Sequence, residues 1–301
     1  MSSPDSAPAG VIHNIGYRGY DGERLSRRAI TLALYTHGLR GAFGLGRAAR
    51  SKVIPMGMAV VMLLPAVVLA VVAVVGEQMG QLSGPVVPYT RYAMILQAAL
   101  AIFVAVAAPQ SVSLDLRFHS LPLYLARPLA RADYVRAKLT ALTTAVFLLL
   151  AAPLLVMYLG SLAAGFDAAS ETADVAQALL GALLYAAVLS SVSLVIASLT
   201  SRRGFGIAAI VTVLVLSYSI VSSMQGVIAF DADDPTTAGW VGLFSPMTLV
   251  DGVQVWAFGV TTSTPAGPPN DLAGAAFLLT SLAVVALGYV VLNRRYRKVK
   301  V

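Results

Sequence analysis

Six apolar stretches dominate this chain, at 53–75, 92–108, 139–160, 176–199, 205–230 and 272–292. Each is close to the ~20 residues that carry a helix across ~30 Å of hydrocarbon. None contains Asp, Glu, Lys, Arg or His. Read as spans, they sort the cations. Eight precede span 1, from Arg18 to Lys52. Arg117, Arg127, Arg131, Arg136 and Lys138 lie between spans 2 and 3. Arg202 and Arg203 separate spans 4 and 5, and Arg294, Arg295, Arg297, Lys298 and Lys300 follow span 6. Only Arg91 falls on the other side. Basic loops stay in the cytoplasm, so both termini are expected inside. Glu77, Asp167, Glu171, Asp174, Asp231, Asp233, Asp234, Asp251 and Asp271 all fall in the outer loops.

Composition narrows the class further. The 301 residues are 58% hydrophobic and 12% charged, against about 25% charged in soluble domains. Lipid demands that every backbone polar group be satisfied within the protein, and continuous apolar runs without two-residue alternation select helices over a barrel. The expected fold is an all-α integral membrane protein with six transmembrane helices. The net charge of +7 is accounted for by cations at one membrane face, so nucleic acid is not expected as a partner. No Cys is present, which removes disulfides, thiolate zinc sites and cysteine nucleophiles. No cleavable signal is recognised, and span 1 is expected to serve as the signal anchor.

Residues 1–24 read as a disordered, turn-rich cytoplasmic tail, 25–292 as the six-span domain and 293–301 as a basic cytoplasmic tail. A helix over 25–39 is expected to lie along the membrane. Leu25, Ala29, Leu32, Thr36 and Leu39 share one face; Arg24, Arg27, Arg28 and Thr31 lie away from it, although Ile30 and Leu34 fall on the polar side. Packing on protein is the alternative for this helix. Arg27 and Arg28 are the membrane-interface candidates on it. Pro65 and Pro153 lie within spans, and Pro109 is expected to close span 2. Ser190, Ser191, Ser193 and Ser198 in span 4 and Ser217, Ser219, Ser222 and Ser223 in span 5 favour close helix contact, with a polar pathway as the alternative. Residues 240–259 are apolar but broken by Pro246, Asp251 and Gln254. They are expected to form one or two short outer interfacial helices, with Trp240 and Trp256 near headgroup level.

No phosphate-binding loop, HExxH or GxSxG occurs, and His13, His37 and His119 lack metal-ligand spacing. The chain itself is not expected to be an enzyme or to hold a cofactor. The absence of a charge within any span also argues against a proton-coupled carrier. The informative stretch is 115–138, DLRFHSLPLYLARPLARADYVRAK. It sets apolar Leu121, Leu123, Tyr124 and Leu125 beside charges and turns at Arg127-Pro128. An ordinary loop has no need of this pattern, whereas a short helix docking on a partner or on the membrane does.

This stretch resembles the loop between spans 2 and 3 of the permease subunits of type-2 ATP-binding-cassette (ABC) exporters. Asp115, Ser120-Leu121, Arg127-Pro128, Arg131, Tyr134 and Lys138 match its order, and His119 stands where a Gly is common. The six spans, internal termini, basic entry helix and apolar outer segment fit as well. The resemblance implies a cytoplasmic coupling helix that docks on a separate ABC ATPase subunit, where ATP and Mg are bound. Asp115, Leu121, Leu123, Leu125, Arg127, Pro128, Arg131 and Tyr134 are then the ATPase-coupling candidates. It further implies pairing with a second permease copy or a homologous permease, contact with membrane lipid, a bacterial cell membrane, and export of a lipophilic or amphipathic compound. The alternative is a non-transporting assembly or sensory subunit that recruits a cytoplasmic partner through the same loop.

Overall fold

The computed structural model describes residues 22, 26–46, 48–118, 121–125, 129–200 and 202–298, the side chains of Leu116, Leu121, Leu125 and Lys298 excepted. Among the described residues all regular structure is helical. The order is α1 (Arg27–Ala42), α2 (Val53–Gln78), α3 (Tyr89–Ile95), α4 (Gln97–Ser111), α5 (Ser113–Arg117), α6 (Leu121–Leu125), α7 (Arg131–Ala163), α8 (Ala168–Leu199), α9 (Arg203–Asp231), α10 (Pro235–Val241), α11 (Pro246–Phe258) and α12 (Asp271–Lys298). Six of these are long and apolar enough to cross a membrane: α2, α4 continued to Asp115, α7, α8, α9 and α12.

Local chemistry sets the ends. Phe43 follows α1, and Gly44 and Gly46 turn the chain with φ of 69° and 80°, a region open to glycine at no steric cost. Asp167 caps α8 by accepting from Ser170 N at 2.9 Å. Asp234 accepts from Thr237 N at 3.0 Å, and Asn270 accepts from Ala273 N at 2.9 Å ahead of α12.

Burial divides the bundle. The apolar window of α4 is 72% buried and those of α7 and α8 are 50% and 56% buried, against 17% for α2 and 22% for α9 and α12. Thus α4, α7 and α8 form the centre and the other three surround it. α7 packs on α8, α2 and α1; α8 also packs on α12, α4 and α11; α9 packs on α4. Gly160 brings α7 against the Ala70 backbone of α2, where a side chain has no room.

Three expectations change. Span 2 does not begin at Tyr92, because the helix breaks at Leu96 and Tyr92 belongs to the separate α3. The hydroxyls of Tyr89 and Tyr92 fasten α3 to Glu171 and to the Met62 carbonyl, respectively, before α4 sets off. Pro109 does not close α4 but lies inside it, two residues short of its end. The serines of α8 and α9 also part company. Ser190, Ser191, Ser193 and Ser198 are fully buried, with Ser191 directly against Gly288 of α12. Ser219 and Ser223 of α9 are exposed.

α1 packs on α7 through a face different from the grouping read in the sequence. Leu34 is buried and Ile30 and Tyr35 are partly buried, whereas Leu32 is 60% exposed. Gly38 allows this approach, since a Cβ there would lie 3.0 Å from Ala141 Cβ. Tyr35 Oη donates to Thr144 Oγ1 at 3.2 Å.

The stretch before α12 forms two short helices, α10 and α11. α11 is buried from Met247 to Gln254, with Gly252 against the Phe277 ring. Trp240 is half-buried, and Trp256 is 36% exposed and donates from Nε1 to Asp271 Oδ1 at 3.2 Å.

Candidate functional site

The coupling candidates converge where α5, the start of α7 and the end of α12 meet. α7 begins at Arg131, and Asp133 at its third position reaches back to accept from Ala130 N at 3.2 Å. The helical repeat then places Tyr134 and Lys138, four residues apart, on one face. That face meets Asp115 of α5. Tyr134 Oη donates to Asp115 Oδ2 at 2.7 Å, and Lys138 Nζ lies 2.8 Å from the same oxygen. Lys138 Nζ also donates to the Ser111 carbonyl at 2.7 Å, covering the open end of α4.

Aromatic rings enclose this pair. Tyr134 is fully buried, with its ring 5.1 Å from Tyr296 of α12 in an edge-on arrangement and 5.8 Å from Tyr124 of α6. Lys138 Nζ stands 5.4 Å from the centre of the Tyr134 ring, within cation–π range. Arg131 Nη1 donates to the Arg297 carbonyl at 2.7 Å, a second link from α7 to α12. Asp133 pairs with Arg27 of α1 at 2.5 Å, so α1 is joined to the same end of α7.

The structure thus brings together Asp115, Arg131 and Tyr134, with Arg27 beside them. Asp115 and Tyr134 face inward and tie elements together. The surface nearby is made by other residues. Leu123 on α6 is 74% exposed and Phe118, just after α5, is 68% exposed. Arg28 is exposed on α1. Arg127, Pro128 and the side chains of Leu121 and Leu125 lie outside the described residues. Trp240 and Trp256 belong to the opposite, acidic end.

Sequence reading matched Lys138 to the loop motif without placing it among the coupling residues, and it missed Tyr296 and Asp133 as members of this knot. The spacing of Tyr134 and Lys138 was available as a signal; the arrival of Tyr296 from α12 was not. It also missed the polar clusters at the acidic end. There Asp251, buried on α11, accepts from Ser263 N at 3.1 Å and Thr262 Oγ1 at 3.1 Å. Gln225 Nε2 of α9 donates to the carbonyls of Ala238 and Ala266 at 3.1 and 2.9 Å. Burial raises the Asp251 carboxyl above its ordinary range, against the opposing effect of the Ser263 and Thr262 donors.

Six long apolar helices around a buried centre are the make-up of a multi-pass helical membrane protein. No protein-family model matches the chain, and no curated protein matches it.

Proposed function

We propose that this chain is the membrane-spanning permease subunit of an ABC transporter of the type-2 exporter class. It exports a lipophilic or amphipathic compound, driven by ATP hydrolysis on a separate cytoplasmic ATPase subunit, and works beside a second permease copy or a homologous permease. In this reading the basic end is cytoplasmic, by the bias of basic loops, and the membrane is the bacterial cell membrane. Trp256 stands at headgroup level on the outer side, and α10 and α11 lie near that surface.

The observation that supports the reading is the pairing of exposed apolar side chains with a rigid base. Phe118 and Leu123 project from the short turns of α5 and α6. Below them, Asp115, Tyr134, Lys138 and Tyr296 tie α5 to α7 and α12, and the Tyr124 ring of α6 packs on Tyr134. A push on the short helices therefore reaches two long helices directly. An ATPase that changes shape needs such a handle. Asp115 and Tyr134 act in this scheme by holding the handle, and Arg131 by linking it to α12.

The test is copurification of the ATPase in mild detergent, with ATP-dependent transport in vesicles. Full burial of an apolar side chain contributes roughly 1.5–3 kcal/mol. Phe118→Ser with Leu123→Ser is therefore expected to weaken ATPase association at least about ten-fold while leaving membrane insertion intact. Unchanged association and transport in that double variant removes α5 and α6 as the coupling site. ATPase recruitment without any cargo movement leaves the assembly-subunit reading in its place.

A further inference from the structure

We propose that the cleft between α1 and α7 binds the phosphate headgroup of an acidic phospholipid from the leaflet at the basic end. This inference rests on the reading of that end as a membrane surface, and it is independent of coupling to an ATPase.

The cleft has a volume of about 610 Å³. Arg27 and Arg28 enter it from α1 and Arg136 from α7, against the single carboxylate of Asp133. Asp133 is already engaged, with Oδ2 2.5 Å from Arg27 Nε and also accepting from Ala130 N. Its Oδ1 is 4.0 Å from Arg136 Nη1, a loose contact. Among the described residues, three cations therefore face one carboxylate in a single concave site. Arg28 makes no ion pair among the described residues. The guanidinium groups of Arg27 and Arg136 stay accessible, with side chains 60% and 65% exposed.

Guanidinium forks match the paired oxygens of a phosphate, and Asp133 holds the Arg27 fork in place without neutralising the whole cleft. Basic pockets between helices at a charged membrane face suit anionic headgroups. The remaining lining supplies the reason for a lipid over a free phosphate. Leu32, 60% exposed, and Ala137 give the cleft an apolar wall beside the cations. Soluble phosphate has no use for that wall, while a glycerol backbone and the start of an acyl chain cover it.

The experiment uses the full chain reconstituted in vesicles of mixed phosphatidylcholine and phosphatidylglycerol. Lipids retained after gentle extraction are counted by native mass spectrometry. Wild type is expected to retain phosphatidylglycerol in excess over its share of the vesicle. Arg28→Gln is expected to lower that enrichment at least about ten-fold, the loss of one hydrogen bond between charged groups in the site. Arg50→Gln, at the same end but outside the cleft, is expected to leave it unchanged. Equal enrichment in wild type and Arg28→Gln overturns the site. An equal fall with Arg50→Gln overturns it too, by showing diffuse attraction. Displacement of the retained lipid by millimolar inorganic phosphate alone overturns the assignment to lipid. The Phe118→Ser, Leu123→Ser variant should keep the enrichment, so failure of the coupling proposal and failure of this one are separable.

Discussion

Lys138 is 6% exposed, and it tolerates burial because Asp115, the Ser111 carbonyl and the Tyr134 ring surround its ammonium. Removing one member of a buried ion pair leaves the other charge without compensation, at about 3–5 kcal/mol. Lys138→Met should therefore lower the detergent melting temperature sharply. Lys138→Met combined with Asp115→Asn should recover most of that loss, because Tyr134 still has an oxygen to bond. A double variant as unstable as the single one would show that the pair is not the source. Asp251 gives the opposite kind of signal. Its folded carboxyl is raised above the ordinary 3.8, so the folded chain binds the proton more tightly than the unfolded one. The stability tied to that proton is complete below 3.8 and is lost as pH rises through the raised value. Wild type should lose melting temperature relative to Asp251→Asn as pH climbs out of the ordinary carboxylate range, with the gap constant at higher pH. A pH-independent gap would count against it.

Between elements, small residues set how close helices come. Gly160 lies against Ala70, so Gly160→Val must push α2 from α7. Overpacking of this kind costs about 1–3 kcal/mol, readable as a drop in melting temperature; an unshifted melt would mean that α2 can slide freely. The contrast between α1 and the long helices shows what a sequence pattern can carry. Long apolar runs announced α2, α7, α8, α9 and α12 because burial in lipid needs no alternation of faces. The packed face of α1 was not legible. Ile30 and Leu34 looked misplaced on a polar side, and they are the residues that pack into the core, while Leu32 turns outward. A helix with apolar residues on two sides has two candidate neighbours, and the approach of Ala141 to Gly38, with the Tyr35–Thr144 and Arg27–Asp133 contacts, decides which side meets protein. α11 was ambiguous for a similar reason. Its broken apolar pattern suits a membrane surface or a protein interior, and the contact of Gly252 with Phe277 selects the interior for residues 247–254.

For the molecule as a whole, the set of six long apolar helices was the most legible property and the knot at the basic end the least. Apolar runs are written along the sequence, whereas the meeting of Asp115, Tyr134 and Tyr296 depends on three separate helices arriving at one place. The absence of native cysteine makes the orientation testable. Single cysteines at Ala168 and Thr236, both exposed at the acidic end, should react with an impermeant thiol reagent on intact cells. A cysteine at exposed Ala49, at the basic end, should react only after permeabilisation. Labelling of Ala49 from outside would invert the arrangement and remove any cytoplasmic partner from α5 and α6.

The link between Tyr134 and Tyr296 also orders events during biosynthesis. A ribosome delivers α7 well before α12, and domains made on it take shape from the N-terminal side. Until α12 has entered the membrane, Tyr134 lacks the Tyr296 ring and Arg131 lacks the Arg297 carbonyl. In a half-made chain α5 and α6 are therefore tied to α7 alone, and the links onward to α12 are added by the final insertion. Any partner that, as proposed, reads α5 and α6 together with the end of α12 would tell completed chains from unfinished ones.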